Sequence, residues 1–194
     1  MDEKQQLRNV VRAARLTRAH SQADSGSAAD AALTENLAAV ATEFGATRIA
    51  CFIGVRGEPD TAAFLAWALA ANIEVLLPRS RADGALEWAT YVPDGLAPGA
   101  FGILEPQGPP VPDGAATAGV LFVPAAAVDE TGGRLGWGRG FYDRELARIR
   151  AARTRPPSAF AVVWESEVLP AVPRELHDVP VDGAVTEATV HYFG

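Results

Sequence analysis

Apolar residues near the start of the chain follow a helical spacing. Residues 4–19 contain no Gly or Pro, and their basic side chains lie mostly opposite an apolar stripe, which predicts an amphipathic helix. That stripe consists of Leu7, Val10, Val11, Ala14 and Leu16. A second helix is predicted over 28–44, after a small polar loop at 21–27. Its inward positions are Leu33, Leu37, Val40 and Phe44.

Continuous apolar runs of strand length recur through the rest of the chain. The runs that predict strands cover 49–55, 73–77, 86–92, 119–124, 159–164 and a short segment at 184–185. Helical spacing follows the first run, around Phe64 and Leu65, and appears again over 142–153, whereas prolines make 107–116 a loop. This recurrent order of strand and helix predicts one three-layer α/β domain over residues 1–194, with a mostly parallel central sheet.

Residues 132–140, called here the glycine-rich connection, join the strand predicted at 119–124 to the helix predicted from residue 141 or 142. The connection contains glycine at positions 132, 133, 136, 138 and 140. Glycine lets backbone N–H groups approach a ligand, and the following helix N-terminus adds partial positive charge. With Arg134 and Arg139 as forked donors, this pattern favours a bound phosphate. A flexible surface turn is the alternative, because the spacing fits neither a P-loop nor a dinucleotide fingerprint.

Charge and cysteine content narrow the class of protein. A formal net charge of -7 argues against a nucleic-acid partner or an anionic membrane surface. The longest apolar segment, 62–71, is too short to cross a bilayer, and the polar N-terminus has no signal-peptide core. Cys51 is the single cysteine and the three histidines are far apart, so neither a disulfide nor a His/Cys zinc site is expected. We expect a soluble cytoplasmic protein, as a monomer or weak homodimer.

The signature of one enzyme family matches the glycine-rich connection and the start of the next helix. Residues 134–144 read Arg-Leu-Gly-Trp-Gly-Arg-Gly-Phe-Tyr-Asp-Arg, which resembles the signature of the 5-formyltetrahydrofolate cyclo-ligases, also called methenyltetrahydrofolate synthetases. Weaker similarities run in the same order from Lys4 to Glu187. The resemblance implies a fold related to the NagB/RpiA/CoA-transferase group, and it implies ATP and Mg²⁺ as cofactors.

The same resemblance assigns nucleotide binding to the first helix and the glycine-rich connection. Lys4 and Arg8 match a Lys-x-x-x-Arg pair that contacts the nucleotide phosphates in the family, although a solvated basic face explains the same spacing. The other implied nucleotide contacts are Arg134, Leu135, Gly136, Trp137, Gly138, Arg139, Gly140, Phe141 and Tyr142. Among these, Arg134, Arg139 and Tyr142 are the implied catalytic residues.

The implied substrate, a reduced formyl folate, is assigned to the segments that follow the first and third predicted strands. Glu58 matches a family glutamate that contacts the folate, and Ile53 is part of the implied apolar wall. Phe101 precedes a segment similar to the family's Gly-Ile-x-Glu-Pro and is a candidate aromatic wall for the pterin, with Tyr142 as a further contact. An ordinary loop or packing role is the alternative for these residues.

The implied metal ligands are Asp143 in the signature and Asp178 in a His-Asp pair near the C-terminal end. Both offer the hard oxygen atoms that Mg²⁺ prefers, while a first-turn carboxylate that favours the helix dipole is the simpler explanation of Asp143. The implied reaction closes 5-formyltetrahydrofolate to 5,10-methenyltetrahydrofolate and converts ATP to ADP and phosphate. In the family picture the formyl oxygen attacks the γ-phosphate, and N10 then displaces phosphate from the activated carbon.

Two departures from the family pattern keep other functions open. Trp137 stands where the family usually has a basic or small residue, and residues 125–129 replace the family's Pro-Gly-x-x-Phe-Asp pattern with small aliphatics before the aspartate. A non-catalytic folate- or nucleotide-binding relative is one alternative. A diverged ligase that uses ATP to activate another amide or carboxylate is the other.

Overall fold

The computed structural model describes residues 2–21 and 26–194. Its four α-helices are α1 (Glu3–Ser21), α2 (Gly26–Glu43), α3 (Ala62–Ala70) and α4 (Phe141–Ala152). Its strands are β1 (Arg48–Ala50), β2 (Glu74–Ser80), β3 (Leu86–Thr90), β4 (Leu96–Pro98), β5 (Leu104–Pro106), β6 (Val120–Pro124), β7 (Ala127–Asp129), β8 (Arg134–Leu135), β9 (Ser158–Val162), β10 (Val168–Leu169), β11 (Gly183–Val185) and β12 (Val190–Tyr192). Short 3₁₀ turns cover Ala100–Gly102, Gly114–Thr117 and Glu165–Glu167.

A seven-stranded sheet forms the middle layer, in the order β12-β11-β9-β6-β1-β2-β3. The five strands from β11 to β2 are parallel to their neighbours, and β3 and β12 add antiparallel edges. Two small sheets complete the fold, one joining β4 to β5 and the other in the order β10-β7-β8. The prediction of a mostly parallel α/β sheet is confirmed.

Strand β6 shows why the apolar runs become central strands. Its residues alternate between two cores, because successive side chains of a strand point to opposite faces. Val120 and Phe122 pack with apolar residues of α2 and α3, whereas Leu121 and Val123 pack with α4. Both faces of β6 are therefore covered, and the helices form the two outer layers.

Several predicted element boundaries are wrong. The run at 49–55 yields only the three-residue β1, because residues after Ala50 leave the sheet for the cleft described below. Strand β2 continues through Pro78, which the sequence placed after the strand; Pro78 lies beyond the segment that pairs with β1, where its missing N–H breaks no ladder bond to that strand. Strand β12 was not predicted. Of the loop predicted at 21–27, residues 22–25 lie outside the described residues, and its ends belong to α1 and α2.

The predicted orientation of α1 is only partly right, since Val11 of the apolar stripe is buried in a small apolar cluster with Leu7 at its edge. Val10 and Leu16, two members of the apolar stripe, are 64% and 56% exposed, whereas Lys4 and Arg15 are buried. Arg15, at 2% exposure, belongs to the basic set that was expected to face solvent. The inward face of α1 is therefore mixed, because Val11 packs with apolar residues while Lys4 and Arg15 pair with carboxylates.

The helices of the described ranges do not include one that combines the length and apolarity needed to cross a membrane.

Candidate active site

A cleft of about 660 Å³ opens where the chain leaves the carboxyl ends of the central strands. In an open parallel sheet this edge is where ligands bind. The cleft is formed by the segments after β1 and β6, the end of β2, the β4–β5 hairpin, α1 and the glycine-rich connection. The residues from the sequence prediction that line it are Ile53, Glu58, Phe101, Arg134, Gly136, Trp137, Arg139, Gly140, Phe141, Tyr142 and Asp143.

Five predicted site residues do not line the cleft: Lys4, Arg8, Leu135, Gly138 and Asp178. Leu135 is buried in a small apolar cluster. Arg8 lies close to the cleft, since its Nε donates to the carbonyl oxygen of Gly136 at 2.8 Å. The ammonium of Lys4 instead binds Asp178 at 2.6 Å, so both of these residues are engaged with each other.

One carboxylate shapes the turn that leads into the glycine-rich connection. Oδ1 of Asp129 accepts hydrogen bonds from the backbone N–H groups of Thr131 and Gly133 at 3.0 and 2.9 Å, and Oδ2 accepts from Val172 at 3.0 Å. Arg174 adds an ion pair at 2.6 Å. Burial raises the pKa of the Asp129 carboxyl, but these contacts outweigh burial and lower it to about 2. The charged carboxylate therefore fixes the start of the connection.

The end of the connection presents an open helix N-terminus. Gly138 and Gly140 have φ of +92° and +65°, a region that favours glycine. Gly140 occupies the N-cap position of α4 and has no side chain with which to cap it, so the first N–H groups of the helix stay available to a ligand. The Arg8 guanidinium lies beside Gly138. This combination suits an anion.

Arg134 and Asp143 form the charged centre of this end of the cleft. Nη2 of Arg134 lies 2.6 Å from Oδ1 of Asp143, and the backbone N–H of Val179 donates to the same oxygen at 3.3 Å. Within the described part of the chain, the buried Nε of Arg134 has no hydrogen-bond acceptor. A buried guanidinium with an unused donor is costly unless another anion satisfies it.

Glu58, on the segment after β1, lines a second part of the cleft, called here the Glu58 end. Its buried Oε1 accepts a 2.7 Å hydrogen bond from Nε1 of Trp137, and Oε2 accepts one from the backbone of Val55 at 3.1 Å. Burial raises the pKa of the Glu58 carboxyl, and it stays raised despite these two bonds and the nearby charge of Arg15.

Arg15 supports this carboxylate and was missed by sequence reasoning. Its Nε and Nη2 donate to the two oxygens of Glu167 at 2.7 Å each, and Nη2 also donates to the carbonyl of Ala125 at 2.9 Å. Nη1 lies 3.8 Å from Oε1 of Glu58. The signal that could have revealed Arg15 is its place on one helical face with Lys4 and Arg8, at spacings of four and seven residues.

Aromatic residues close the rim of the cleft. The guanidinium of Arg139 lies 3.7 Å from the centre of the Phe101 ring, and the Phe101 ring lies 6.2 Å from that of Phe141. Phe101 has φ of +62°, and its carbonyl accepts a hydrogen bond from Arg56 at 3.1 Å.

Burial raises the pKa of the Tyr142 hydroxyl well above its usual value, so that group stays protonated. Sequence reasoning also missed Arg12 and Glu105 as lining residues.

Comparison with known proteins relates most of the chain to a single enzyme family. A model of the 5-formyltetrahydrofolate cyclo-ligase family matches residues 1–187. The 5-formyltetrahydrofolate cyclo-ligase of Mycolicibacterium smegmatis is 38% identical over 144 residues, which are 71% of this chain and 72% of the relative. The enzyme of the same name from Mus musculus is 32% identical over 68 residues, covering 35% of this chain and 34% of its own.

A solved structure extends the likeness to three dimensions. The NMR structure of Aquifex aeolicus 5,10-methenyltetrahydrofolate synthetase aligns with a TM-score of 0.78 and 28% identity, covering 98% of this chain and 93% of that one. The Mycoplasma pneumoniae synthetase, at 18% identity and a TM-score of 0.68 over 96% of this chain and 99% of its own, shows the same fold. With the family match over residues 1–187, the conclusion is that the chain belongs to the 5-formyltetrahydrofolate cyclo-ligase family.

Proposed function

We propose that this protein uses ATP to cyclise 5-formyltetrahydrofolate to 5,10-methenyltetrahydrofolate, with release of ADP and phosphate. The observation that carries the proposal is the cleft itself, in a chain of this family. One end has an open helix N-terminus beside Arg134, and the other end has a buried carboxylate, Glu58, beside an apolar wall. Its volume of about 660 Å³ lies in the range of small-molecule sites.

The anion-binding end is proposed to hold the triphosphate. The N–H groups at the start of α4 and the unused Nε donor of Arg134 are what a phosphate chain needs. Arg139 reaches the site from the exposed rim, and Arg8 reaches it from α1. Lys4 would join them by exchanging Asp178 for a phosphate oxygen. The backbone of the glycine-rich connection, Leu135 to Gly140, encloses the nucleotide.

Catalysis in this proposal comes from position and charge. Transfer of the γ-phosphoryl group to the formyl oxygen moves negative charge onto oxygens, and Arg134 and Arg139 are placed to stabilise that charge. The protonated Tyr142 hydroxyl adds a neutral donor next to them. A nucleophilic side chain is not required, which agrees with the buried Cys51, whose thiol pKa burial raises to about 12.

Asp143 and Asp178 fit a Mg²⁺ ion by the chemistry of their donors. The bond from Val179 N–H to Asp143 brings the residue after Asp178 against Asp143, so the two carboxylates belong to neighbouring segments. Among the described contacts, Oδ2 of Asp143 is left without a hydrogen-bond donor, because Arg134 and Val179 both use Oδ1. When bound, Mg²⁺ would neutralise phosphate charge. The two carboxylates would then be shared between the ion and their present cations.

The folate is proposed to occupy the end of the cleft near Glu58. Ile53 and Phe101 present apolar surface suited to the faces of a pterin ring, and Glu58 can accept hydrogen bonds from polar N–H groups of the ring edge. Tyr142 stands between the two ends, where the formyl group has to meet the γ-phosphate.

The assay of choice mixes purified protein with Mg-ATP and 5-formyltetrahydrofolate and follows the methenyl product by its near-ultraviolet absorbance. We expect product only when ATP is present, and we expect Asp143→Asn to lose most of it. The matched control is Arg153→Met, which should keep full activity. Arg153 is an exposed arginine at the C-terminal end of α4, and it pairs with Asp113. Binding of both ligands without product would indicate the non-catalytic relative, and phosphate release with another amide or carboxylate would indicate the diverged ligase.

We also propose a cellular compartment and an oligomeric state for this protein. We expect a reducing cytoplasm, since the single cysteine is inert, and a monomer or weak homodimer without nucleic-acid or membrane partners. Light scattering across a concentration series checks the assembly, and a stable higher oligomer would contradict it.

A further inference from the structure

Trp137 joins the two ends of the cleft. It belongs to the glycine-rich connection, yet its indole extends to the folate end, where Nε1 donates to Oε1 of Glu58 at 2.7 Å. The charged groups of Arg15 and Arg12 lie 5.0 and 5.7 Å from the centre of its ring, so α1 packs against its face. One hydrogen bond therefore links the backbone around the anion site to the buried carboxylate at the other end.

Three contacts favour the ionised Glu58 carboxyl: the backbone N–H of Val55, the charge of Arg15 and the indole N–H of Trp137. Within the described ranges, the indole N–H is its one side-chain hydrogen-bond donor, and Val55 supplies a backbone donor to the other oxygen. Arg15 is too distant to replace the indole, because its Nη1 stays 3.8 Å away while the rest of its guanidinium binds Glu167. A buried carboxylate that loses one of two donors is strongly penalised in its charged form.

We propose that Trp137 is a positioning residue that holds the Glu58 carboxylate in the cleft and couples nucleotide binding at the glycine-rich connection to folate binding. This inference rests on the proposed function. A nucleotide that orders the connection would also fix Trp137 and thereby Glu58. Since coupling between two binding sites is reciprocal, folate held by Glu58 would strengthen nucleotide binding by the same factor.

The charged and titratable neighbours of Glu58 come from three elements. Arg15 from α1 favours its ionised form, and Glu167 from the 3₁₀ turn opposes it. Tyr142 from α4 also faces the carboxyl electrostatically, but its raised pKa keeps it uncharged. Trp137 is thus the neighbour that can be changed to an apolar ring without removing a charge.

The first test needs no ligand. The Glu58 carboxyl is titrated by ¹³C NMR in the wild type and in Trp137→Phe, which keeps an aromatic ring but removes the N–H. We expect the variant carboxyl to bind its proton about tenfold more tightly, because the ionised form has lost a charge-assisted hydrogen bond. Trp67→Phe, on α3 and stacked on Phe64 away from the cleft, is the matched control with an unchanged titration. An unchanged titration in Trp137→Phe would overturn the positioning role.

The second test measures coupling. Calorimetry gives the Kd of 5-formyltetrahydrofolate with and without a non-hydrolysable ATP analogue. In the wild type we expect the analogue to tighten folate binding, and in Trp137→Phe we expect that tightening to disappear and the folate Kd to rise about tenfold. Equal tightening in both proteins would overturn the coupling. A wild type that binds no folate contradicts the proposed function instead, and the carboxyl titration then decides alone whether Trp137 positions Glu58.

Discussion

The two helices at the start of the chain are similar in length and opposite in what they bury. Helix α2 turns Leu33, Leu37 and Val40 into the apolar core, and all three are fully buried. Helix α1 buries Arg15 instead and leaves Val10 largely exposed. Helix α2 therefore stabilises the fold by apolar burial, whereas α1, which adds Val11 to a small apolar cluster, also supplies charge to the side of a cleft.

The two helices show that an apolar inward face and a charged inward face need different kinds of packing partner. An apolar face needs only a complementary apolar surface, so its partners can be exchanged for others of similar volume. A charged inward face needs specific partners, and α1 finds them in Glu167, in Asp178 and in the carbonyl of Gly136. The charges of α1 therefore face carboxylates and a backbone carbonyl beside the cleft, where we propose that the ligands bind.

The largest effect is expected from Arg15→Ala. This change leaves Glu167 and Glu58 buried near each other without their cation, and breaking a buried pair costs about 3–5 kcal/mol. Urea unfolding measures the loss in the free energy of unfolding, and Arg15→Lys should recover part of it. If Arg15→Ala were as stable as the wild type, α1 would not depend on its inward charges.

The matched change on the other helix is Leu37→Ala. It should cost about 2–5 kcal/mol by leaving a cavity in the core. Because Leu37 packs in the apolar core and does not line the cleft, kcat/KM per folded molecule should stay at the wild-type value, whereas Arg15→Ala should lower it. A similar fall in kcat/KM for both variants would erase the distinction between the two helices.

A smaller effect is expected for Asp129→Asn, which tests a buried charge outside α1. The folded-state pKa of Asp129 is about 2, below its usual value of 3.8, so its charge contributes about 2 kcal/mol at neutral pH. That contribution is complete above about pH 5 and is lost progressively as the pH falls through 3.8 toward 2. Unfolding experiments at pH 7 and pH 3 should show the gap between wild type and Asp129→Asn shrinking toward low pH. A gap that stays constant would contradict the assignment.

The smallest effect is expected for Val10→Ala on α1. Val10 belongs to the stripe that the sequence predicted to be inward, but it is exposed, so the change should alter the free energy of unfolding by less than about 0.5 kcal/mol. Thermal unfolding measures it. A loss of about 1 kcal/mol or more would show that Val10 itself is packed in the folded protein.

The comparison of the two helices also shows which features of the fold and of the cleft could be predicted from the sequence. The sheet strands β6 and β9 and the helix α4 follow from local patterns, since an apolar run of strand length or a helical spacing is decided by neighbouring residues. The end of the cleft where we propose that an anion binds could be anticipated for the same reason, because its glycines and arginines are adjacent in the chain. Strand ends such as that of β1 were not, because pairing with β6 decides them.

The end of the cleft near Glu58 depends on partners that lie far apart in the chain, and no local spacing indicates them. Arg15 finds Glu167 across 152 positions, and Trp137 finds Glu58 across 79. A helix whose inward face is charged looks, in sequence, like a helix turned the other way. Glu58 itself was predicted through the family resemblance, but its donors were not.

The most direct test of the claim that the inward charges of α1 serve ligands is the affinity for Mg-ATP of Arg8→Met. Calorimetry should show binding about tenfold weaker than in the wild type, with an unchanged melting temperature, because Arg8 contributes charge beside the glycine-rich connection rather than core packing. Arg153→Met, far from the cleft, should bind as the wild type does. Wild-type affinity in Arg8→Met would contradict the account.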